Sequence, residues 1–316
     1  MREFQVQENE AGQRFDKYLK KMLGNAPAGF LYKMLRKKNI VLNGKKADGG
    51  SILSKGDSVV FYLSDETFLK FSSQEEEKNR LESLPQIDLS HLPFSILYED
   101  YDILIIDKPS GMLSQKAAAE DISANEYILA YLSASGHWDK EAYVFRPSVV
   151  NRIDRNTSGI LIAGKTLKGL QKMSESLKQR TIQKFYFCIV EGVVTEPYHL
   201  KGYLRKDERK NQAVILTEQT SQEDKWIETE YKPICWYKHA TLLEVKLITG
   251  RTHQIRAHLA SIGHPIVGDL KYGAKKQDGI TAQLLHAGRI CLEDGREVTA
   301  PLPKQFLAAA EAFKRE

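Results

Sequence analysis

The sequence has few cysteines and no long apolar run. Only three of its 316 residues are cysteines, Cys188, Cys235 and Cys291, and no C-x-x-C pair occurs. An odd and scattered set argues against a disulfide framework and a structural zinc site, and predicts the reducing cytosol. The longest apolar runs, such as residues 103–106, are far shorter than the roughly 20 residues of a membrane span. Because the first residues also lack an apolar signal stretch, we expect a cytoplasmic protein that makes no contact with membranes.

Positive charge is distributed unevenly along the chain. The formal net charge is +5, but residues 1–63 hold twelve Lys and Arg against six acids, whereas residues 64–92 hold three against seven. A basic head followed by an acidic, Ser-rich stretch is typical of a small nucleic-acid-binding module tethered to a larger domain. The length also favours about two domains. We predict a head over residues 1–63, an acidic linker over 64–92 and a large domain over 93–316.

The basic head has the pattern of short helices followed by strands. Phe15 and Leu19 recur at helical spacing, and Pro27 suits the first turn of a second helix. Residues 40–42 have the pattern of a strand that enters an Asn43-Gly44 hairpin turn. The sequence therefore predicts two helices with a basic edge, packed on a small sheet.

This pattern, over residues 12–63, resembles the αL RNA-binding domain named after a small-subunit ribosomal protein. In that family the second helix and the turn after it face RNA phosphates. Phosphate contacts are dispersed and interchangeable, so for any single lysine a solvated basic face is an equally good interpretation. The cluster as a whole favours RNA. The resemblance places the following positions at the RNA: Lys33, Arg36, Lys37, Lys38, Lys45 and Lys46.

The most informative segment of the large domain is Asn-Arg-Ile-Asp-Arg-Asn-Thr-Ser-Gly at residues 151–159. Arg152 and Asp154 are two positions apart, so they share a face in an extended chain. Positive charge on both sides of Asp154 favours its ionised form, and a held carboxylate can act as a nucleophile. On spacing alone, however, an aspartate that caps a turn is the favoured interpretation.

Two further segments combine strands with polar side chains. The alternation of residues 184–192 predicts a strand, in which Tyr186 by itself is a core residue. Residues 247–259 predict a strand that ends near Gly250, followed by a helix that begins near Thr252. His253 and His258 lie five positions apart without an acidic partner, so they do not form the i,i+4 pair of a zinc site.

In this order, three segments resemble the signature motifs of the RluA-type RNA pseudouridine synthases. They are residues 151–159, Lys-x-Tyr-x-Cys-x-Val-x-Gly at 184–192, and Gly-Arg-Thr-His-Gln-Ile-Arg-x-His at 250–258. The match covers roughly residues 94–307. The resemblance implies an α+β fold with a mixed, mostly antiparallel sheet and flanking helices, beside the small αL domain. It also implies that uridines in structured RNA are isomerised to pseudouridine without metal, nucleotide or redox cofactor.

The resemblance assigns the chemistry to three residues. Asp154 would be the nucleophile that attacks the target uridine. Arg251 would pair with Asp154, keeping it ionised and aimed. Tyr186 would lie against the uracil ring and assist in removing the carbon-bound proton.

Three other residues would contact the substrate. Arg152 would fill the space of the flipped uridine, because the attacked atoms cannot be reached inside an RNA helix. Leu285 would line the pocket, and Lys108, with Pro109, would stand beside the site.

The chain departs from the family pattern in two places. Asn151 stands where the family usually has His, so this position cannot carry a proton. The loop after Lys108 also lacks the His-Pro pair that is common there. Because Asp154, Tyr186 and the arginines are present, we expect the activity to be retained.

Several functions remain open at this level. Large-subunit ribosomal RNA is the expected substrate, because the αL head occurs in the ribosomal branch of the family, and transfer RNA is the alternative. A non-catalytic RNA-binding factor for ribosome assembly would use the same fold. An aspartate-nucleophile hydrolase would need a second carboxylate or a metal cluster, which the motifs do not contain. Most relatives act without a partner chain, so we expect a monomer.

Overall fold

The computed structural model describes residues 1–72, 84–138, 145–209 and 211–315. Its helices are α1 (Phe15–Met22), α2 (Ala28–Arg36), α3 (Asp65–Phe71), α4 (Ala124–Ala134), α5 (Leu167–Gln179), α6 (Gln254–Ser261) and α7 (Lys304–Arg315). Its strands are β1 (Arg2–Gln5), β2 (Ile40–Leu42), β3 (Ser58–Phe61), β4 (Ser95–Glu99), β5 (Ile103–Lys108), β6 (Ser148–Val149), β7 (Ser158–Gly164), β8 (Gln183–Glu191), β9 (Tyr198–Asp207), β10 (Gln212–Leu216), β11 (Lys225–Trp236), β12 (Ala240–Leu247), β13 (Leu285–Cys291) and β14 (Glu297–Thr299).

The head has its own sheet and its own apolar core. Strands β1, β3 and β2 form an antiparallel sheet in that order. Helices α1 and α2 contribute the residues that the periodicity predicts, among them Phe15, Leu19 and Met34. The predicted Asn43-Gly44 turn is present, with φ of 52° and 69° at its two residues. Positive φ at both positions defines the two-residue hairpin turn that Asn-Gly favours.

Helix α3 extends the head beyond the predicted boundary at residue 63. The Ser64 hydroxyl caps the helix by accepting a bond from the Thr67 amide at 3.2 Å. Phe68 is fully buried and contacts the rings of Phe4 and Phe61 at centroid distances of 5.8 and 5.3 Å. The beginning of the predicted linker is therefore helical, because Phe68 completes the core of the head. The acidic run at 75–77 lies outside the described residues.

The large domain is built on one sheet of eleven strands. The strands follow the order β10-β9-β11-β12-β8-β13-β7-β5-β4, with β14 beside β13 and β6 beside β7. Within this sheet only β13 and β7 pair in parallel. The predicted α+β fold with a mixed, mostly antiparallel sheet is confirmed.

The parallel pair requires a glycine. Gly159 has φ of +108°, and a Cβ at this position would lie 2.2 Å from the carbonyl oxygen of Ala287. Any larger residue would separate β7 from β13 at this point. The Thr-Ser-Gly that ends the 151–159 segment therefore allows the two halves of the sheet to join.

Helices cover both faces of the sheet around β8. Cys188 and Ile189 are consecutive in this strand and point to opposite faces. Cys188 packs in the largest apolar cluster, which includes Ile255 of α6, whereas Ile189 packs with Phe306 of α7. The α6 side of the sheet is the side that carries Tyr186. Among the helices of the described ranges, none is both long and apolar enough to span a bilayer.

Candidate active site

Asp154 lies in a tight turn between β6 and β7. The Thr157 amide donates to the Asp154 carbonyl oxygen at 3.0 Å and closes the turn. The preceding residue, Ile153, is buried, and its backbone exchanges two bonds with the Ser114 hydroxyl at 3.1 and 2.8 Å. The Asp154 side chain remains 25% exposed. The turn therefore has a fixed base, whereas the carboxylate can be reached from solvent.

Lys108 connects this turn to the loop that follows β5. Its ammonium group donates to the carbonyl oxygens of Pro109, Met112 and Arg155 at 2.9, 2.7 and 3.0 Å. The side chain is fully buried. Burial lowers its pKa to about 8, although the charge of Asp154 acts in the opposite direction. An ammonium group has three donors, and here all three have carbonyl acceptors. These contacts favour a structural role for Lys108 over the predicted contact with substrate.

The cation that pairs with Asp154 is Arg256. Its Nη1 lies 3.0 Å from Asp154 Oδ2, while its Nε and Nη2 bind both oxygens of Asp269 at 2.7 and 2.8 Å. The guanidinium also lies over the Tyr272 ring, 5.0 Å from its centroid. Burial opposes the charge of Arg256, but the bonds to Asp269 and the charge of Asp154 outweigh it and raise its pKa. A buried cation with this geometry fixes the carboxylate that it contacts.

The predicted pairing of Arg251 with Asp154 is wrong in this structure. The Arg251 side chain is exposed and has no hydrogen bond or ion pair with another described residue. Its backbone amide donates to Gln254 Oε1 at 3.1 Å, and its carbonyl oxygen accepts from the Gln254 amide at 3.0 Å. The reason is the point at which α6 begins. Arg251 precedes the helix, whereas Arg256 lies on the buried side of its first turn. Both arginines belong to the same motif, and only the helix start distinguishes them.

The two oxygens of Asp154 have different surroundings. Arg256 Nη1 and His253 Nε2 both face Oδ2, at 3.0 and 4.0 Å. No hydrogen bond from any part of the chain that the structure describes reaches Oδ1. Oδ1 is therefore the carboxylate oxygen that has no donor among the described residues.

Tyr186 and Leu285 lie on the face of the sheet next to Asp154. Tyr186 is paired with Ala287, and Leu285 with Cys188, so both side chains point to the same side. Both are buried. Burial raises the pKa of the Tyr186 phenol, and the nearby charge of Asp154 adds to the effect. The phenol and Leu285 thus belong to the apolar cluster beside the carboxylate.

The two side chains that precede Ile153 have different contacts. Arg152 is exposed and has no hydrogen bond or ion pair with another described residue. Asn151 donates from Nδ2 to the Ile160 carbonyl at 3.3 Å and accepts the Ile162 amide at 2.8 Å. Its carboxamide thus continues the pairing of β6 with β7. The Asn151 that stands in place of the family's usual His is accommodated by these two bonds in the sheet.

The two histidines of the third motif make separate contacts. His253 Nδ1 lies 3.0 Å from the Tyr272 hydroxyl, and His258 Nδ1 lies 2.9 Å from Thr229 Oγ1. Burial lowers the pKa of both imidazoles, that of His258 to about 4. In the described ranges no group of three or more His, Cys, Asp or Glu side chains could hold a metal ion.

Sequence reasoning missed several residues that complete the site. Asp269 lies in the Gly-Asp of the segment that follows the third motif, and Tyr272 lies three positions later. Their role depends on the contact of a loop with α6, which no local pattern indicates. The six cations assigned to the head are all exposed, and none pairs with an acid of the described residues.

Comparisons with known proteins agree with the family that the three motifs resemble. Residues 102–261 match the family model described as RNA pseudouridylate synthase. The chain is 30% identical to the ribosomal large subunit pseudouridine synthase C of Vibrio vulnificus (strain CMCP6), over 98% of this chain and 95% of that protein. It is 31% identical to the protein of the same name from Salmonella typhi, over 97% and 94%. The match of two relatives over nearly their whole length includes the head as well as the large domain.

Solved structures share the fold. Human RNA pseudouridylate synthase domain containing 4 superposes with a TM-score of 0.59 at 18% identity, covering 76% of this chain and 98% of that chain. The chain belongs to the RNA pseudouridylate synthase family. It is an isomerase that converts uridine to pseudouridine in RNA.

Proposed function

We propose that this protein isomerises specific uridines of large-subunit ribosomal RNA, with Asp154 as the nucleophile. The observation that carries the proposal is the asymmetry of the Asp154 carboxylate. Arg256 holds Oδ2 at 3.0 Å, and Oδ1 accepts no bond from the described residues. An ionised carboxylate with one fixed oxygen and one free oxygen suits attack on a sugar carbon.

The proposed reaction rearranges bonds within one nucleotide. Oδ1 of Asp154 bonds to C1′ of the target uridine as the N1–C1′ glycosidic bond breaks, and the uracil turns while it remains in the site. A C5–C1′ bond then forms as the Oδ1–C1′ bond breaks, which restores the carboxylate, and the C5 proton is lost while N1 gains a proton. Atoms and electrons balance without an oxidant, a metal or a nucleotide.

Tyr186 is proposed to pack against the uracil ring. Burial and the charge of Asp154 raise its pKa, so the phenol stays protonated at neutral pH. A neutral phenol favours a packing and hydrogen-bonding role before the new bond forms. Arg152, exposed next to the Asp154 turn, is proposed to occupy the space that the flipped uridine leaves in the RNA.

Ribosomal RNA is favoured as the substrate by two observations. The relatives that match almost the whole chain are named as large-subunit ribosomal enzymes. The head also presents cations on α2 and on the hairpin after β2 that have no acidic partner among the described residues. Free surface cations suit dispersed contacts with phosphates. Transfer RNA is the alternative substrate within the same reaction.

The test is pseudouridine mapping in cells that lack the protein. Carbodiimide treatment and reverse-transcription stops would be compared after complementation with wild type, Asp154→Asn and Asp294→Asn. Asp294 lies in the β13–β14 turn and pairs with Arg296, so it is the matched control. We expect large-subunit sites to be lost in the deletion and restored by wild type and by Asp294→Asn.

Two outcomes would contradict the proposal. Restoration by Asp154→Asn would reject the nucleophile. If pseudouridine sites are lost only from transfer RNA, or if no site is lost, large-subunit ribosomal RNA is rejected as the substrate.

Purified Asp154→Asn should still bind the RNA fragment with nearly wild-type affinity, because affinity depends on the dispersed cations.

A further inference from the structure

A chain of three groups leads from β10 to Asp154. The Ala213 amide donates to the Tyr272 hydroxyl at 2.7 Å. The same hydroxyl lies 3.0 Å from His253 Nδ1. The other ring nitrogen of His253, Nε2, lies 4.0 Å from Asp154 Oδ2. The contacts therefore connect the β9–β10 hairpin to the proposed nucleophile.

The direction of these bonds determines where the imidazole proton lies. A backbone amide can only donate, so the Tyr272 oxygen accepts from Ala213. The remaining described partner for the hydroxyl proton is His253 Nδ1, which must then be an acceptor. A neutral imidazole with an acceptor at Nδ1 carries its proton on Nε2. Nε2 is the ring nitrogen that lies 4.0 Å from Oδ2 of Asp154.

The surroundings of His253 keep the ring in place and neutral. The side chain is 13% exposed, and the ring meets that of Tyr272 edge-on, at a centroid distance of 5.7 Å. Its pKa is lowered by burial first and then by the charges of Arg256 and Lys271, against Asp154 and Asp269. The backbone of His253 is left-handed, with φ of 59°. This conformation is uncommon for residues other than glycine, and Asn and His adopt it more readily than most.

We infer that His253 is a positioning residue of the isomerisation, held by Tyr272 in the tautomer whose Nε2–H points at Asp154 Oδ2. With Arg256 on the same oxygen, this N–H fixes the rotation of the carboxylate and leaves Oδ1 for the substrate. The 4.0 Å separation shortens to a hydrogen bond when RNA occupies the site, as hydrogen bonds in empty sites commonly do. The inference rests on the proposed function, in which Asp154 is the reacting group.

Two substitutions test the Nε2–H of His253 and the hydroxyl of Tyr272 separately. His253→Asn tolerates the left-handed backbone and keeps a polar atom near the position of Nδ1, but it removes Nε2–H. Tyr272→Phe keeps the ring under Arg256 and removes only the hydroxyl that selects the tautomer. His253→Gln can place an amide N–H near the position of Nε2 and serves as the rescue. Tyr131→Phe is the matched control, because its hydroxyl donates to Glu99 at 2.7 Å.

The first measurement is single-turnover kinetics on the ribosomal RNA fragment. We expect His253→Asn to lower the rate about 10- to 100-fold, the effect of losing one hydrogen bond to a charged group. RNA affinity should stay within about twofold, because phosphate contacts determine it. His253→Gln should recover part of the rate. A His253→Asn rate within about twofold of wild type, or an equal loss in Tyr131→Phe, would overturn the inference.

The second measurement does not depend on activity. In protein with ¹⁵N-labelled histidine, the ring nitrogen shifts identify the tautomer, and the His253→Asn spectrum identifies the His253 signals. We expect a protonated Nε2 and a bare Nδ1 at neutral pH, and a mixture of tautomers in Tyr272→Phe. A protonated Nδ1 in wild type would overturn the inference. If wild type modified no ribosomal uridine, the proposed function would fail, and the spectrum would still decide the tautomer.

Discussion

The six head cations assigned to RNA differ from Lys108 and Arg256 of the large, catalytic domain in whether they have partners among the described residues. In the head, Lys37 and Lys38 are exposed and have no acidic partner among the described residues. In the catalytic domain, Lys108 has three carbonyl acceptors and Arg256 binds two carboxylates. The charges that are proposed to bind phosphates are free, whereas the charges that fix one geometry are buried with protein partners.

The largest expected effect is the loss of Arg256. In Arg256→Gln the carboxylate of Asp269, which is 2% exposed, remains buried without its cation. Removing one partner of a buried ion pair lowers the free energy of unfolding by about 3–5 kcal/mol. Urea denaturation measures this loss, and a change below about 1 kcal/mol would show that the pair does not hold the site together. Isomerisation by the fraction that remains folded should fall by more than 100-fold, because Asp154 loses the same cation.

Protonation of the buried His258 should destabilise the catalytic domain, because it creates a buried positive charge. Burial lowers the pKa of His258 to about 4, whereas an unfolded chain has about 6.5. The unfolded state therefore binds more protons between pH 6.5 and 4, so stability is retained above this window and falls as the pH decreases through it. From pH 7.5 to pH 5 we expect a loss of about 2 kcal/mol from this residue.

Urea denaturation at the two pH values measures the contribution of His258. In His258→Gln, which cannot titrate, the decrease should be smaller by this amount. The pKa values of His253 and His286 are also lowered, so a smaller decrease should persist in the variant. An identical decrease in both proteins would show that His258 is not held neutral.

Free cations should contribute to affinity without contributing to stability. The double substitution of Lys37 and Lys38 by Gln should weaken RNA binding about tenfold and reduce the salt slope of log K by about 2. The free energy of unfolding should change by less than about 0.5 kcal/mol. Filter binding at several salt concentrations measures the slope. An unchanged slope would mean that this part of the head does not contact phosphate.

The smallest effect is expected for Arg251, a cation of the catalytic domain that resembles those of the head. Its side chain is exposed, so Arg251→Gln should change stability by less than about 0.5 kcal/mol. RNA affinity should fall only a few-fold, and the isomerisation rate by less than about tenfold. A loss of rate as large as that of Arg256→Gln would restore Arg251 as the partner of Asp154 in the RNA-bound state.

Local patterns predicted the elements that depend on near neighbours in sequence. The Asn43-Gly44 hairpin and helices α1 and α2 follow from turn chemistry and apolar periodicity. Helix α3 was not predicted. The partners of Phe68 are Phe4 and Phe61, and Phe4 in particular lies far from it in sequence.

The sequence motifs identify the residues of the site, but they do not predict which of these residues contact each other. Arg251 and Arg256 both lie in the third motif, and Asp154 is 102 positions away from the one that binds it. The position of the helix start decides which arginine is buried, and sequence patterns place such boundaries to within only a few residues. The resemblance alone places Lys108 beside the substrate. Its three carbonyl acceptors come from loops that meet only in the folded chain, so the sequence does not indicate them.

The parallel pairing of β7 with β13 has a consequence for the order of folding. Most strands of the sheet pair with strands close in sequence, as β4 does with β5 and β11 with β12. The bond between Ser158 and His286 joins residues 128 positions apart. Contacts of such long range form late, because the chain must close a large loop first. During synthesis the Asp154 turn leaves the ribosome well before β13, so the surroundings of Asp154 become complete only when the last third of the chain has been made.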